Sequence, residues 1–379
     1  MWRFVHDAWW RLATQHQPPS LSDRLIARAL HALSLLYGAA VRARNGAYER
    51  GWAKSVSLPC RVVSVGNLTV GGTGKTACVE LLARKLIALG GRVAVLSRGY
   101  GGRGQGYWLR WEAGRLATGG AHAGQPSRLP DEPQMLAQHL AGVPVVIGPR
   151  RERTGLLACR ELGADTLVLD DGFQHRRVKR NCDVVLVHAR MPLGGWALLP
   201  RGPMREPLDA LRRADVIIVT KADEVLETVE ALRERLRAVN PSAVVATAIH
   251  EPAHLLYVPA GEAVSPRGLA GKRIGLVSSI GDPQGFEATV TRLGATVAWH
   301  LAFPDHHPYD AADWAAMIQR VQAGRPELIV TTEKDWVRLR PVAESGPRLP
   351  APLAVLGVRM TLVTGEQELD DRLARVHAR

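Results

Sequence analysis

The stretch GNLTVGGTGKT, residues 66–76, has the residue types that hold a phosphate. A phosphate is gripped by several backbone N–H groups at once. That needs glycines where side chains would block approach, and then a helix whose N-terminal dipole adds to the attraction. Gly71, Gly72 and Gly74 supply the permissive backbone, Lys75 reaches the β- and γ-phosphates, and the Thr76 hydroxyl suits a magnesium ion. The usual pattern G-x-x-x-x-G-K-[ST] opens on glycine, where this chain has Thr69. The expected nucleotide-binding loop runs through Thr69, Val70, Gly71, Gly72, Thr73, Gly74, Lys75 and Thr76.

Other polar clusters stand at the ends of apolar runs. TLVLDDGFQH ends in Asp170 and Asp171, an acidic pair of the kind that holds magnesium beside a phosphate loop. VTKAD, with Thr220 to Asp223, resembles the element that selects guanine in GTPases, but the D-x-x-G expected after the acidic strand is missing. A GTPase-type regulatory protein is therefore the alternative reading. AFPDHHPYD offers an Asp–His pair that binds metal, caps a turn or orients a proton acceptor. TTEKD reads as a helix start, with Thr332 as cap and Asp335 three residues on. In LPDEPQML, Asp131 and Glu132 before Pro133 read as dipole partners of a helix N-terminus.

These clusters must be held by strands and helices. RVVSVGN precedes the glycine loop, and KTACVELLARKLIALGG follows it with Val79, Leu82, Leu86 and Leu89 at helical spacing before Gly90-Gly91. RVAVLS, VPVVIG, TLVLDD, DVVLVH and DVIIVTKAD are short buried-type strands, most of them separated by helix-like segments. That alternation predicts a parallel three-layer α/β sheet with ligands at the carboxyl ends of its strands. The Gly/Arg-rich piece from Arg98 to Gly120 is expected as a loop or hairpin over the sheet. Three units are expected: an N-terminal helical segment 1–58, a phosphate-loop core 59–224 and a smaller C-terminal α/β domain 225–379.

The 379 residues carry a net charge of +13, which favours anionic partners such as phosphorylated substrates, an anionic membrane or nucleic acid. No helicase or RNA-binding motif set accompanies the charge, so no nucleic-acid partner is expected. Cys60, Cys78, Cys159 and Cys182 lie far apart without a CxxC pair, so metal-site spacing is absent, nothing points to a disulfide framework, and a reducing compartment fits. Up to Lys54 there are eight basic against three acidic side chains, with Trp2, Phe4, Trp9 and Trp10. A basic aromatic helix of this kind suits a membrane surface. Its best apolar run, Leu25 to Val41, is interrupted by Arg28 and His31 and reads as too short to span. The competing expectation is a helix whose apolar face packs on the protein's own core.

In order along the chain, SVGNLTVGGTGKT, LSRGYGG, DEP, DDGFQHRRVKRNCDVVLV, LLPRGPMREPL, FPDHHPY and TTEKD resemble the tetraacyldisaccharide 4′-kinases of Gram-negative lipid A biosynthesis, over about residues 20–365. Threonine at the first loop position is shared with that family. The resemblance implies a phosphate-loop NTPase-like α/β fold. It implies transfer of the ATP γ-phosphate, with Mg²⁺, to the 4′-hydroxyl of an acylated glucosamine disaccharide 1-phosphate, giving lipid IVA. It also implies residence on the cytoplasmic face of the bacterial inner membrane, peripheral or monotopic. By resemblance Lys75 handles phosphate, and Thr76, Asp170, Asp171 and Glu206 are placed at the metal. Asp131 takes the substrate hydroxyl proton with His306 as its partner, His175 and Arg205 are further active-site positions, and Tyr100 lies near the nucleotide.

Overall fold

The computed structural model describes residues 21–70, 72–99, 106–120, 129–190, 197–224 and 226–378, apart from the side chains at 21–23, 224 and 226. Trp2, Phe4, Trp9, Trp10, Gly71 and Tyr100 lie outside the described residues.

In chain order the first half contains α1 (Leu21–Glu49), β1 (Arg61–Asn67), α2 (Lys75–Ala88), β2 (Val93–Ser97), β3 (Tyr107–Glu112), β4 (Arg115–Gly119), α3 (Asp131–His139), β5 (Val145–Ile147), α4 (Arg151–Glu161), β6 (Thr166–Leu169), β7 (Cys182–His188) and β8 (Val216–Thr220). The second half contains α5 (Leu226–Val239), β9 (Val244–Val258), β10 (Glu262–Val264), β11 (Arg273–Ser278), α6 (Pro283–Arg292), β12 (Thr296–Ala302), α7 (Ala311–Gly324), β13 (Leu328–Thr332), α8 (Glu333–Ser345), β14 (Leu353–Thr364) and α9 (Glu366–His377).

The strands form one sheet in the order β12-β11-β13-β14-β9-β8-β7-β1-β6-β2-β5-β3-β4, with β10 against β9. From β9 to β5 every neighbour is parallel. This is the pattern expected of apolar strands buried on both faces. Val63 and Val65 of β1 pack against Val79, Leu82 and Leu86 of α2, all fully buried. Each such side chain contributes about 1.5–3 kcal/mol on burial. The helical spacing read after the glycine loop is thus the face that anchors α2 on the sheet. The neighbours of β1 are β6 and β7, so the loop after β1 opens at a switch in strand order, where open α/β sheets bind ligands.

Two elements differ from expectation. The described part of the Gly/Arg-rich segment, residues 106–120, forms the expected hairpin, but β3 and β4 pair with β5 and extend the sheet edge and do not cover a face. The fifteen-residue β9 carries Pro252 and polar residues and has no clean strand signature. It pairs antiparallel with β14 along nearly its whole length, and a register shift between Gly357 and Val358 falls opposite Pro252. An irregularity of this kind is where a strand tolerates proline. This ribbon joins the strands of the two halves into one sheet.

Helix α1 has 29 residues, longer than the expected apolar run, and is long and apolar enough to cross a membrane by length and composition. It docks through Ser34, Gly38, Val41 and Asn45, spaced for one helical face. Ser34 Oγ donates to Leu198 O and Tyr37 Oη donates to Arg205 O, both at 2.9 Å. Leu25, Ile26, Leu33, Leu35 and Leu36 face outward, Leu36 at 69% exposure. The expectation that an apolar face packs on the core is overturned: a small and polar stripe docks, and the leucines are left outside.

Candidate active site

Helix α2 begins at Lys75, directly after Gly74, whose φ of 82° is the left-handed conformation glycine adopts freely. A Cβ on Gly74 would lie 2.5 Å from His250 Nε2 of β9, so a larger residue would have to displace that ring as well as adopt the left-handed turn. Asn67 Nδ2 donates to Thr73 Oγ1 at 2.8 Å and fixes the loop from below. The first loop positions are used otherwise than expected. Thr69 is buried in a bridge with Met204, and the Val70 N–H donates to Pro203 O at 2.8 Å. That N–H is not available to an anion, and neither residue lines the cavity described next. Among the described residues, the cavity-facing part of the loop is therefore Gly72 to Thr76.

A cavity of about 580 Å³ opens over this loop. Lys75, Thr76, Asp170, Asp171 and Arg205 line one side, and Asp131 and His306 line it as well. Asp171, at a positive φ of 51°, is held by Arg205, whose Nη1 donates to both carboxylate oxygens at 2.9 Å, and by Lys75 Nζ at 3.6 Å. Burial works against its charge, but Lys75 and Arg205 outweigh it and hold the carboxyl below its usual range. Asp170 is fully enclosed and accepts from Ser97 Oγ at 3.1 Å. Burial, then Glu132 and Asp171, push its pKa up to about 6.

This gives a signed expectation for the metal-free protein. The folded pKa of Asp170 lies above its ordinary 3.8, so folding favours the protonated form. The advantage is complete below 3.8 and is lost as pH rises to about 6, above which folding carries a buried charge. Asp170→Asn removes that charge. Its melting temperature in EDTA should match wild type near pH 4 and exceed it near pH 8, the difference corresponding to about 3 kcal/mol of stability.

Asp170, Asp171 and the Thr76 hydroxyl are hard oxygen donors, and among the described residues no cluster of three His, Cys, Asp or Glu forms a complete protein cage. One or two carboxylates completed by phosphate oxygens and water is the shell magnesium prefers. A buried carboxyl near pKa 6 beside a phosphate loop fits a cation.

Across the cavity Asp131 is the first residue of α3, and its Oδ2 lies 3.3 Å from Nε of Arg338 on α8. Arg338 is 2% exposed and also donates to Asp335 at 3.0 Å. Asp335 in turn accepts from Ser279 Oγ at 2.6 Å and Tyr309 Oη at 3.1 Å. As TTEKD foretold, Thr332 caps α8 and accepts from Asp335 N. His306 has a φ of 60°, an unusual conformation for a non-glycine residue. Its Nε2 lies 3.3 Å from Nζ of Lys334, which also reaches Asp305 at 3.2 Å and Glu132 at 3.8 Å. An ammonium has no lone pair, so Lys334 donates and His306 accepts. His307 turns away, stacked on Phe303 at 4.6 Å and paired with Asp313 at 2.7 Å.

Glu206 does not join the metal-facing groups. Its carboxylate is 0% exposed and accepts from Asn45 Nδ2 of α1 at 2.7 Å and from Arg213 at 2.9 Å. Arg205 reaches Asp171 while the adjacent Glu206 anchors α1, and the expected metal role of Glu206 is withdrawn. His175 sits outside the cavity lining, 3.9 Å from Glu152; burial, then Arg151, lower its pKa to about 4. The TKAD side chains serve packing between elements: Lys221 pairs with Asp282 at 2.7 Å and Asp223 with Arg292 at 2.9 Å, both on or capping α6.

Sequence reasoning missed Glu80, His139 and Glu333, which also line the cavity. His139 Nδ1 lies 2.8 Å from Glu80 and its Nε2 lies 2.9 Å from Glu333. The three residues are far apart in the chain, and although Glu333 stands within TTEKD, nothing in the sequence pairs it with Glu80 or His139.

Known proteins resemble this chain over nearly its full length. Residues 26–378 match the family described as Tetraacyldisaccharide-1-P 4′-kinase. The tetraacyldisaccharide 4′-kinase of Syntrophus aciditrophicus is 42% identical over 338 residues, 87% of this chain and 88% of that protein. The enzyme of the same description from Anaeromyxobacter dehalogenans strain 2CP-C is 41% identical over 370 residues, 97% of this chain and 93% of its own length. The crystal structure of LpxK from Aquifex aeolicus in complex with ATP superposes with a TM-score of 0.70 at 30% identity, covering 93% of this chain and 99% of that one.

Proposed function

The chain belongs to the tetraacyldisaccharide-1-P 4′-kinase family, and from that premise we propose how its residues divide the work. The enzyme is a kinase that transfers the ATP γ-phosphate to the 4′-hydroxyl of tetraacyldisaccharide 1-phosphate and forms lipid IVA. The observation that carries the reading is the meeting, in one cavity, of Lys75 and Thr76 with Asp170, Asp171, Asp131 and His306. Phosphoryl transfer needs little covalent help; it needs positioned groups and neutralised charge.

Gly72 to Thr76 and the N-terminus of α2 cradle the nucleotide phosphates, and Lys75 offsets the charge that grows on the β- and γ-oxygens. Asp170, Asp171 and Thr76 would hold Mg²⁺, which when bound would supply further neutralisation of phosphate charge. Arg205 keeps Asp171 ionised and aimed. Asp131 accepts the proton of the acceptor hydroxyl. Its tie to Arg338 fixes its direction, and His306 lines the same cavity, linked through Lys334 to Glu132 beside Asp131. The cavity draws its walls from the 59–224 core and from the 225–379 segment, and we assign the second the role of closing over bound nucleotide.

The test is nucleotide and metal dependence. Transfer should require ATP, cease in EDTA and return with Mg²⁺. Strong preference for GTP would instead favour the regulatory-protein alternative.

The acyl chains of the acceptor stay in a bilayer, so the enzyme must work at its surface. The outward leucines of α1 supply the apolar face for this, on the cytoplasmic side of the inner membrane. Leu35→Glu with Leu36→Glu is expected to lower binding to anionic phospholipid vesicles at least about tenfold, with ATP affinity unchanged. Each buried apolar side chain is worth roughly 1.5–3 kcal/mol. Co-sedimentation reads the outcome, and unchanged binding contradicts this role.

A further inference from the structure

We propose that His139 is a positioning residue for the phosphoryl transfer: it locks the helix that carries Asp131 to the phosphate-loop helix and to α8 at once. The inference rests on the assignment of Asp131 as the acceptor-side base.

The argument is geometric. Helix α3 has nine residues, with Asp131 first and His139 last. Such a helix is a rigid rod about 12 Å long, so fixing one end sets the other. At the Asp131 end the restraint comes from α8, through Arg338 at 3.3 Å and Lys334 at 3.8 Å from Glu132. At the other end His139 places its two ring nitrogens 2.8 Å from Glu80 and 2.9 Å from Glu333. Glu80 lies on α2, the helix that begins with Lys75, and Glu333 is the first residue of α8. Arg84 of α2 closes the joint by donating to His139 O and to Glu80, both at 2.8 Å. His254 of β9 adds a further contact to Glu333 at 3.4 Å.

An imidazole that meets a carboxylate through each nitrogen must be doubly protonated to satisfy both. Burial opposes the charge, but Glu333 and Glu80 push the pKa up to about 10, so the clamp is a fixed cation across the neutral range. Burial likewise opposes charge on Glu333, yet His139 and His254 hold its pKa down at about 2. Without the cation, Glu80 would keep only Arg84 and Glu333 only His254; nothing would tie the two carboxylates together, and α3 would lose its fixed distance from Lys75. A misplacement of about 1 Å at a reacting group costs on the order of 100-fold in rate.

The test is a double-mutant cycle on the full chain in detergent micelles, with His139→Gln and Asp131→Asn singly and together. His139→Gln is expected to lower kcat about 10- to 100-fold with KM for ATP within about threefold, and to have almost no further effect when Asp131 is already asparagine. Equal loss in both backgrounds, a loss confined to KM, or no loss overturns the proposal. If His139→Gln does not fold, Glu80→Gln, which keeps the His139–Glu333 pair, replaces it in the same cycle with the same criteria. A small effect of Asp131→Asn alone marks failure of the base assignment, not of the clamp.

Discussion

Lys75→Ala is expected to lower kcat for phosphoryl transfer by about 1000-fold or more, the scale on which single charge-stabilising groups act in such reactions. Lys75 opens α2 at the mouth of the cavity, where the dipole of the helix and the N–H groups of the loop converge. Nothing else on the loop carries a positive charge. The fold should survive, because the lost partner, Asp171, keeps both of its contacts to Arg205 at 2.9 Å. An unchanged melting temperature with lost transfer is therefore the expected pair of results. A loss below about tenfold would mean that Arg205 or another cation carries the γ-phosphate charge, and that the loop serves binding alone.

The second large effect belongs to Asp131. Asp131→Ala is expected to reduce kcat by about 100- to 10,000-fold, the usual contribution of a general base, while ATP affinity stays within about threefold. The carboxylate lines the cavity but is separate from the acidic pair beside Lys75. Removing it also deprives Arg338 of one partner, and that guanidinium is 2% exposed. Asp131→Asn is the sharper variant, since its amide oxygen still accepts from Arg338 while its basicity is gone. Comparable kcat losses in both variants, with ATP binding intact, identify the base. Equal loss of ATP binding and turnover would make Asp131 a structural or metal-facing group instead.

How much of this was legible in the sequence varies by element for physical reasons. The strands around β1 and the helix α2 were readable because burial on both sheet faces leaves continuous apolar runs, and one-sided burial leaves helical spacing. Strand β9 was not, because Pro252, His250 and His254 break the apolar signal, and its partner β14 lies about a hundred residues away in the chain. The phosphate loop was readable from local chemistry. Its first two members were not, because whether a backbone N–H faces a ligand or Pro203 is decided by the packing of the 203–206 segment. Asp131 at a helix start is chemically indistinguishable from a dipole partner. Only resemblance singled it out, and the structure adds its contact with Arg338. Resemblance misplaced Glu206, because adjacency to Arg205 in sequence does not carry over to adjacency in space. His139 joins residues from three helices and left no local trace.

The most direct measurement is transfer of label from γ-labelled ATP in the presence of Mg²⁺ to tetraacyldisaccharide 1-phosphate in detergent micelles, with Lys75→Ala alongside. Label on the 4′-position of the lipid, made by the wild-type chain and lost in the variant, is the predicted result. Folded, ATP-binding protein that leaves the lipid unlabelled would contradict the account.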